Sequence, residues 1–239
     1  FGEALAGRQV RRGRRKRWAR LFGRASRPPV TAPAIECSGI ANQQDFMPTD
    51  TKLLREVRAC TICAEYLPHG VRPIVQMHKS ARILIAGQAP GRKVHESGVP
   101  FDDASGDRLR QWLGVDRDTF YDPKRIAILP MGFCYPGTGK SGDLPPRAEC
   151  AENWRAAMMA MLRELQWTFV IGGYAMSWHL DLNKPDVTGT VRDFAAFRKQ
   201  RITPLPHPSP RNNIWLRKNE WFEADVLPDV RRRVRHALR

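Results

Sequence analysis

Residues 81–91 read ARILIAGQAPG, and this stretch decides the architecture. Ala81–Ala86 is a short apolar run closed by Gly87, the way a parallel strand buried on both faces is written. Three further runs share its character: Arg125–Leu129, Trp167–Ile171 (ended by Gly172 and Gly173) and Arg201–Leu205. Helical patterns separate them. Asp107–Leu113 supplies a turn or two, and Pro146–Leu165 a long helix with Trp154, Met158, Met161 and Leu162 on one face. A short helix follows over Tyr174–Leu180, and Glu220–Ala237 closes the chain as a helix. Upstream, Thr49 or Asp50 caps a helix running through Ala59. Strands alternating with helices predict an α/β fold with a parallel sheet covered on both faces. Ligands of such sheets bind at the carboxyl ends of the strands, where Gly87–Gly91 and Pro206–Asn213 form Gly- and Pro-rich loops.

The composition narrows the class. In 239 residues, 42% are apolar, enough for a core and incompatible with wholesale disorder. No run of eighteen uncharged apolar residues occurs, so no transmembrane helix and no membrane partner is expected. A net charge of +16 points to a polyanionic partner or, in the plainer reading, to a basic solvated surface. Residues 1–46 hold ten Lys and Arg against Glu3, Glu36 and Asp45, a net +7, and the other 193 residues carry +9. This Arg-rich and then Pro-rich segment lacks apolar periodicity and reads as a disordered basic arm. Met47 opens the compact region, the expected natural start, so the domain is placed at residues 47–239.

Five cysteines are too few for a disulfide-dense secreted scaffold, and their clustering suits ligands in a reducing cytoplasm. Cys60-Thr-Ile-Cys63 is one close pair; Cys134 and Cys150 form a second, and Cys37 lies in the arm. Four thiols in two groups suit tetrahedral zinc or a cubane iron–sulfur cluster, although the wide second spacing is less like a zinc finger; simple burial is the third alternative.

Gly137-Thr-Gly-Lys-Ser141 imitates the end of a phosphate-binding loop. The full pattern needs Gly five residues before Gly139, where Cys134 stands, and no apolar helix starts at Ser141. The string is a decoy. Gly87–Gly91 is different, because its glycines let backbone N–H groups approach a ligand without a Cβ clash. In His207-Pro-Ser-Pro-Arg211, two prolines stiffen the loop, His207 offers a hydrogen-bond donor and Arg211 a guanidinium for phosphate or base.

GQAPG at 87–91, GVPF at 98–101, CxxC at 60–63, Cys134 with Cys150 sixteen positions on, and HPSPRN at 207–212 together resemble the iron–sulfur uracil-DNA glycosylases. The HPSPRN loop looks more like that of the single-strand-selective branch of the same superfamily. The resemblance implies a three-layer α/β/α sandwich with a central four-stranded parallel sheet. It also implies a [4Fe–4S] cluster on Cys60, Cys63, Cys134 and Cys150, structural in role, with zinc as the alternative. It implies a monomeric, monofunctional DNA repair enzyme that hydrolyses the N-glycosidic bond of a flipped uracil or other deaminated base. Phe101 then stacks on the flipped base, and His207 hydrogen-bonds the oxygen that gains charge. Gly87, Gln88, Ala89, Pro90 and Gly91 position the attacking water. Pro208, Ser209, Pro210, Arg211 and Asn212 contact DNA.

Two residues depart from the family pattern. Gln88 stands where an acidic residue is common; an amide orients a water but cannot take its proton. Pro130 stands four residues before the third cysteine, where the family carries an Asn that reads the uracil edge. Proline cannot make those bonds, which opens the choice of base. It also brings in a rival expectation, a nucleic-acid-binding protein of the same fold that has lost excision.

Overall fold

The computed structural model describes residues 51–140 and 142–239. The chain divides into two units, Phe1–Glu56 and Val57–Arg239. The expected arm at residues 1–46, with Cys37, the Met47 start and the Thr49 or Asp50 cap, lies outside the described residues. Helix α1 (Lys52–Arg58) opens at Thr51, whose Oγ1 accepts the Leu54 N–H at 3.3 Å.

Among the described residues, the second unit holds six strands: β1 (Ile83–Ala86), β2 (Ile126–Ile128), the two-residue β3 (Thr138–Gly139) and β4 (Gly142–Asp143), β5 (Trp167–Ile171) and β6 (Ile202–Leu205). Four of them form one all-parallel sheet in the order β2-β1-β5-β6. Every residue of these four strands is buried, as their unbroken apolar runs predict, and helices close both faces into a three-layer α/β/α sandwich. Ile83 pairs with both Ile126 and Trp167, which sets the register at the sheet's centre. Pro204, lacking an N–H, is tolerated because β6 is an edge strand. The Trp167 indole N–H is satisfied by Thr203 Oγ1 at 2.9 Å, so neither polar group is buried unpaired.

The helical expectations hold in place and differ in detail. Helix α2 (Arg92–Ser97) follows the first glycine loop. Helix α3 (Ala104–Leu113) starts earlier than the expected Asp107, because Asp103 caps it by accepting the Gly106 N–H at 2.9 Å. Ala, Ser and Gly in that turn carry no apolar signal. A further short helix, α4 (Arg117–Tyr121), leads into β2. The expected helix over 146–165 is α5 (Ala148–Cys150), a π turn (Ala151–Arg155) and α6 (Ala156–Met161). The π turn shifts the phase of the helix face, so Arg155 points into the core beside Met158 while Trp154 stays half-buried.

Helix α7 (Gly172–His179) matches the expectation after β5, and α8 (Val187–Arg192) and α9 (Asn213–Lys218) complete the middle of the chain. The terminal helix begins as a π turn (Phe222–Val226) and continues as α10 (Leu227–Ala237). Pro228 near its start has no N–H to donate, which loosens the preceding turn. Buried Asp229 anchors this basic end by accepting from Arg198, Arg232 and Arg233.

The strand order places β1 and β5 side by side, with their outgoing connections leaving in opposite directions. That arrangement opens a crevice at the carboxyl ends of the strands. No helix among the described residues is long and apolar enough to cross a membrane.

Candidate active site

Both loops singled out in the sequence leave the sheet at this end: 87–91 from β1 and 206–213 from β6. The first is tied to the segment after β2. Met131 N–H donates to Gly87 O and Gly132 N–H to Gln88 O, both at 2.9 Å, so Pro130 runs alongside the glycine loop. The Gln88 side chain donates through Nε2 to Leu144 O at 3.2 Å. Ala89 is half-buried and Pro90 buried, and Gly91 opens α2 in an extended conformation.

Phe101 lies over this loop. A Cβ at Gly87 would stand 3.6 Å from the Phe101 ring, an ordinary van der Waals distance, so the ring lies beside this loop. Phe101 has a φ of 55°, a left-handed conformation unusual for a bulky residue and held only where its surroundings dictate it. Tyr121 Oη donates to its carbonyl at 3.2 Å, and Phe120 meets its ring edge-on at 6.2 Å. Arg110, over the rings of Phe120 and Tyr121, completes the support.

The 207–212 loop is held from within and from α3. Ser209 N–H donates to His207 Nδ1 at 3.2 Å, and Asn212 Nδ2 donates to His207 O at 2.7 Å. Arg211 N–H donates to Ser209 Oγ at 3.3 Å, closing a short turn over Pro210–Asn212. Arg108 reaches from α3 to Ser209 O (3.1 Å) and Asn213 Oδ1 (2.8 Å). Pro208 is buried, whereas Pro210 and Arg211 are exposed.

A ring nitrogen that accepts a backbone N–H carries no proton, so the neutral His207 ring bears its hydrogen on Nε2 and presents a donor there. Burial holds the imidazolium below its ordinary acidity range; Asp103 and Asp143 oppose this and Arg211 adds to it. Neutral imidazole is therefore the form at neutral pH.

Thr138–Gly139 and Gly142–Asp143 form a two-stranded hairpin rather than a phosphate loop. Thr138 pairs with Asp143 and Gly139 with Gly142, antiparallel, with Leu144 N–H bonding Gly137 O at 2.8 Å. This hairpin reaches both loops. A Cβ at Gly91 would lie 3.7 Å from Asp143 Oδ2, and one at Gly142 would lie 3.1 Å from Arg211 Nη1. Arg108, Asp103 and Asp143 are the neighbours of the site that sequence reasoning missed. Nothing local marks them, since each acts on a residue far along the chain.

Cys60, Cys63, Cys134 and Cys150 are all free thiols, and their mutual electrostatic influence puts them in one neighbourhood. Cys63 and Cys134 pack with Leu67 and Val71. Two N–H groups point at sulfur: Trp154 Nε1 to Cys60 at 3.3 Å and Phe133 N to Cys150 at 3.4 Å. Burial pushes the bare Cys134 thiol up to about 11 and Cys150 to about 12. Fully buried Arg155 lies near Cys150; its Nη1 serves the carbonyls of Leu129 and Pro130, its Nη2 meets His179 Nε2, and its Nε has no partner among the described residues. In donor chemistry alone, soft sulfur with N–H groups aimed at it is what an anionic thiolate-bound cluster calls for. Among the described residues, no group of three or more His, Cys, Asp or Glu side chains is gathered as a site for a metal ion.

Residues 75–231 match the family model described as the uracil DNA glycosylase superfamily.

Proposed function

The chain belongs to the uracil DNA glycosylase superfamily, and from that premise we propose that it excises a deaminated base from DNA and leaves an abasic site. Membership in general implies hydrolytic DNA glycosylase chemistry, with DNA as the polymer acted on. The observation that carries the finer reading is His207, half-buried, neutral and held by Ser209 with its donor on Nε2.

Breaking the C1′–N bond leaves an oxocarbenium-like sugar and an anionic base. The base is first drawn out of the stack, at a cost of a few kcal/mol. Phe101 offers it a face. A donor fixed before the reaction and aimed at the base oxygen stabilises charge that appears only in the transition state, and is typically worth about 3–4 kcal/mol. A neutral donor suits the task, because it needs no proton uptake. Arg211 and the exposed tip of its loop contact the strand, and surface Lys and Arg make affinity fall with salt.

Cys60, Cys63, Cys134 and Cys150 would hold the [4Fe–4S] cluster; zinc on the same thiols is the alternative. Bound there, the cluster would be structural: through these cysteines the 60–63 segment would be held to the loop after β2. No step of the excision passes through it.

Pro130 favours a second reading, a nucleic-acid-binding protein of this fold without excision, because proline reads no base edge. A glycosylase assay decides between them, using oligonucleotides carrying uracil, hypoxanthine or xanthine, with abasic products cleaved by alkali. Cleavage of any of these supports excision. Binding to all without cleavage replaces excision with the second reading.

A further inference from the structure

The Gln88 amide cannot accept a proton from water, so an excision site built on this loop lacks a base within its own motif. We propose that Asp143, delivered by the β3–β4 hairpin, is the catalytic carboxylate that takes the proton of the attacking water.

Asp143 Oδ2 lies 3.7 Å from where a Cβ of Gly91 would be, over the loop that closes the carboxyl end of β1. The hairpin is tied to one loop and lies close to the other. Gln88 Nε2 donates to Leu144 O at 3.2 Å, and Arg211 Nη1 sits 3.1 Å from the Cβ position of Gly142. A side chain at Gly142 would push on Arg211, and its φ of 135° also belongs to glycine. The hairpin therefore places Asp143 between the glycine loop and the 207–212 loop.

The neighbouring carboxylates Asp102 and Asp103 each hold a structural contact through one oxygen, although Asp103 also faces His207 electrostatically. Asp103 caps α3 through Gly106 N–H, and Asp102 pairs with Arg117 at 3.2 Å. Among the described residues, no hydrogen bond or ion pair engages the Asp143 carboxylate. A negative charge at that point also favours the cationic sugar. It opposes phosphate binding, so affinity alone gives no reason for it to be there.

The C1′–N bond breaks with its electron pair leaving on the base, whose anion meets the His207 Nε2–H. Water adds through oxygen to C1′, and its proton passes to Asp143. Solvent then reclaims that proton and protonates the released base. The products are the abasic sugar with a C1′ hydroxyl and the free base.

This inference rests on the excision reading, and the test separates the two. Single-turnover excision is measured with the full chain on whichever deaminated base the wild type cleaves. Asp143→Asn is expected to lower the rate roughly a hundredfold. Affinity for the same oligonucleotide should stay equal or tighten, since a negative charge has gone. Added formate should restore part of the rate to Asp143→Ala, and Gln88→Glu should restore part of it to Asp143→Asn. An Asp143→Asn rate within threefold of wild type overturns the assignment alone. A loss that neither formate nor Gln88→Glu relieves marks the hairpin as merely structural and overturns it too. A wild type that cleaves none of the bases overturns the excision reading, and this inference with it.

Discussion

A Cβ on Gly106 would lie 1.7 Å from the carbonyl oxygen of Phe101. The first turn of α3 therefore packs directly on the backbone of the residue that overlies the glycine loop, with no room for a methyl group. The same glycine donates its N–H to Asp103, so the α3 cap and the unusual backbone of Phe101 share one support.

Gly106→Ala should accordingly displace Phe101 and not merely crowd a helix. The expected cost is about 1–3 kcal/mol of stability from overpacking, read by denaturant unfolding. Excision should fall further than stability explains, because the ring leaves its place. A variant with wild-type stability and activity would show that Phe101 tolerates a different backbone.

His207→Ala tests the donor directly. Single-turnover excision should drop roughly a hundredfold or more, with DNA affinity within a few-fold of wild type. Arg211→Ala should show the opposite emphasis, weakening binding and flattening its salt dependence. Equal excision by His207→Ala and wild type would end the assignment of the donor.

The pH dependence follows from burial of the same ring. Burial lowers the His207 pKa below the ordinary 6.5, and nearby Arg211 adds to this. The neutral ring is active, so excision should be complete near neutrality and fall only as pH drops through the depressed value. Stability follows the same sign. The unfolded ring takes a proton near pH 6.5, so this contribution is full above that value and is lost as pH falls toward the folded pKa. Arg211→Ala should move the acid limb upward. An NMR titration of the His207 ring checks both, and a midpoint at or above the ordinary value would contradict them.

The thiols make the cofactor testable by colour and count. Anaerobically purified protein should be brown, with iron and sulfide each near about four per chain. Cys150→Ser should lose the cofactor and much of the stability, whereas Cys37→Ser should change neither. Colourless protein with one equivalent of zinc would transfer the four thiols to the alternative.

Most of the fold was legible because a parallel sheet buried on both faces leaves a plain mark. ILIA, WTFVI and the ITPL edge are apolar runs of strand length, each stopped by a turn residue, and all became strands at the expected places. The helix boundaries were less legible. Asp103 caps α3 through a hydrogen bond that apolar periodicity does not record, and the π turn at Ala151–Arg155 inserts a phase shift that a 3.6-residue period cannot express.

The site divides in the same way. By itself the sequence determined the two loops, GQAPG and HPSPRN, and the residue types they bring to the strands' carboxyl ends. Only the tertiary structure decided the tautomer of His207, the bracing of its loop by Arg108, and the approach of Asp143 to Gly91. Each of these depends on a hydrogen bond or a charge acting between groups placed together by the fold. Arg108 and Ser209 are 101 residues apart, and Gln88 and Leu144 are 56 apart. No local pattern encodes such a pair, because its energy exists only once the sheet has set the distance.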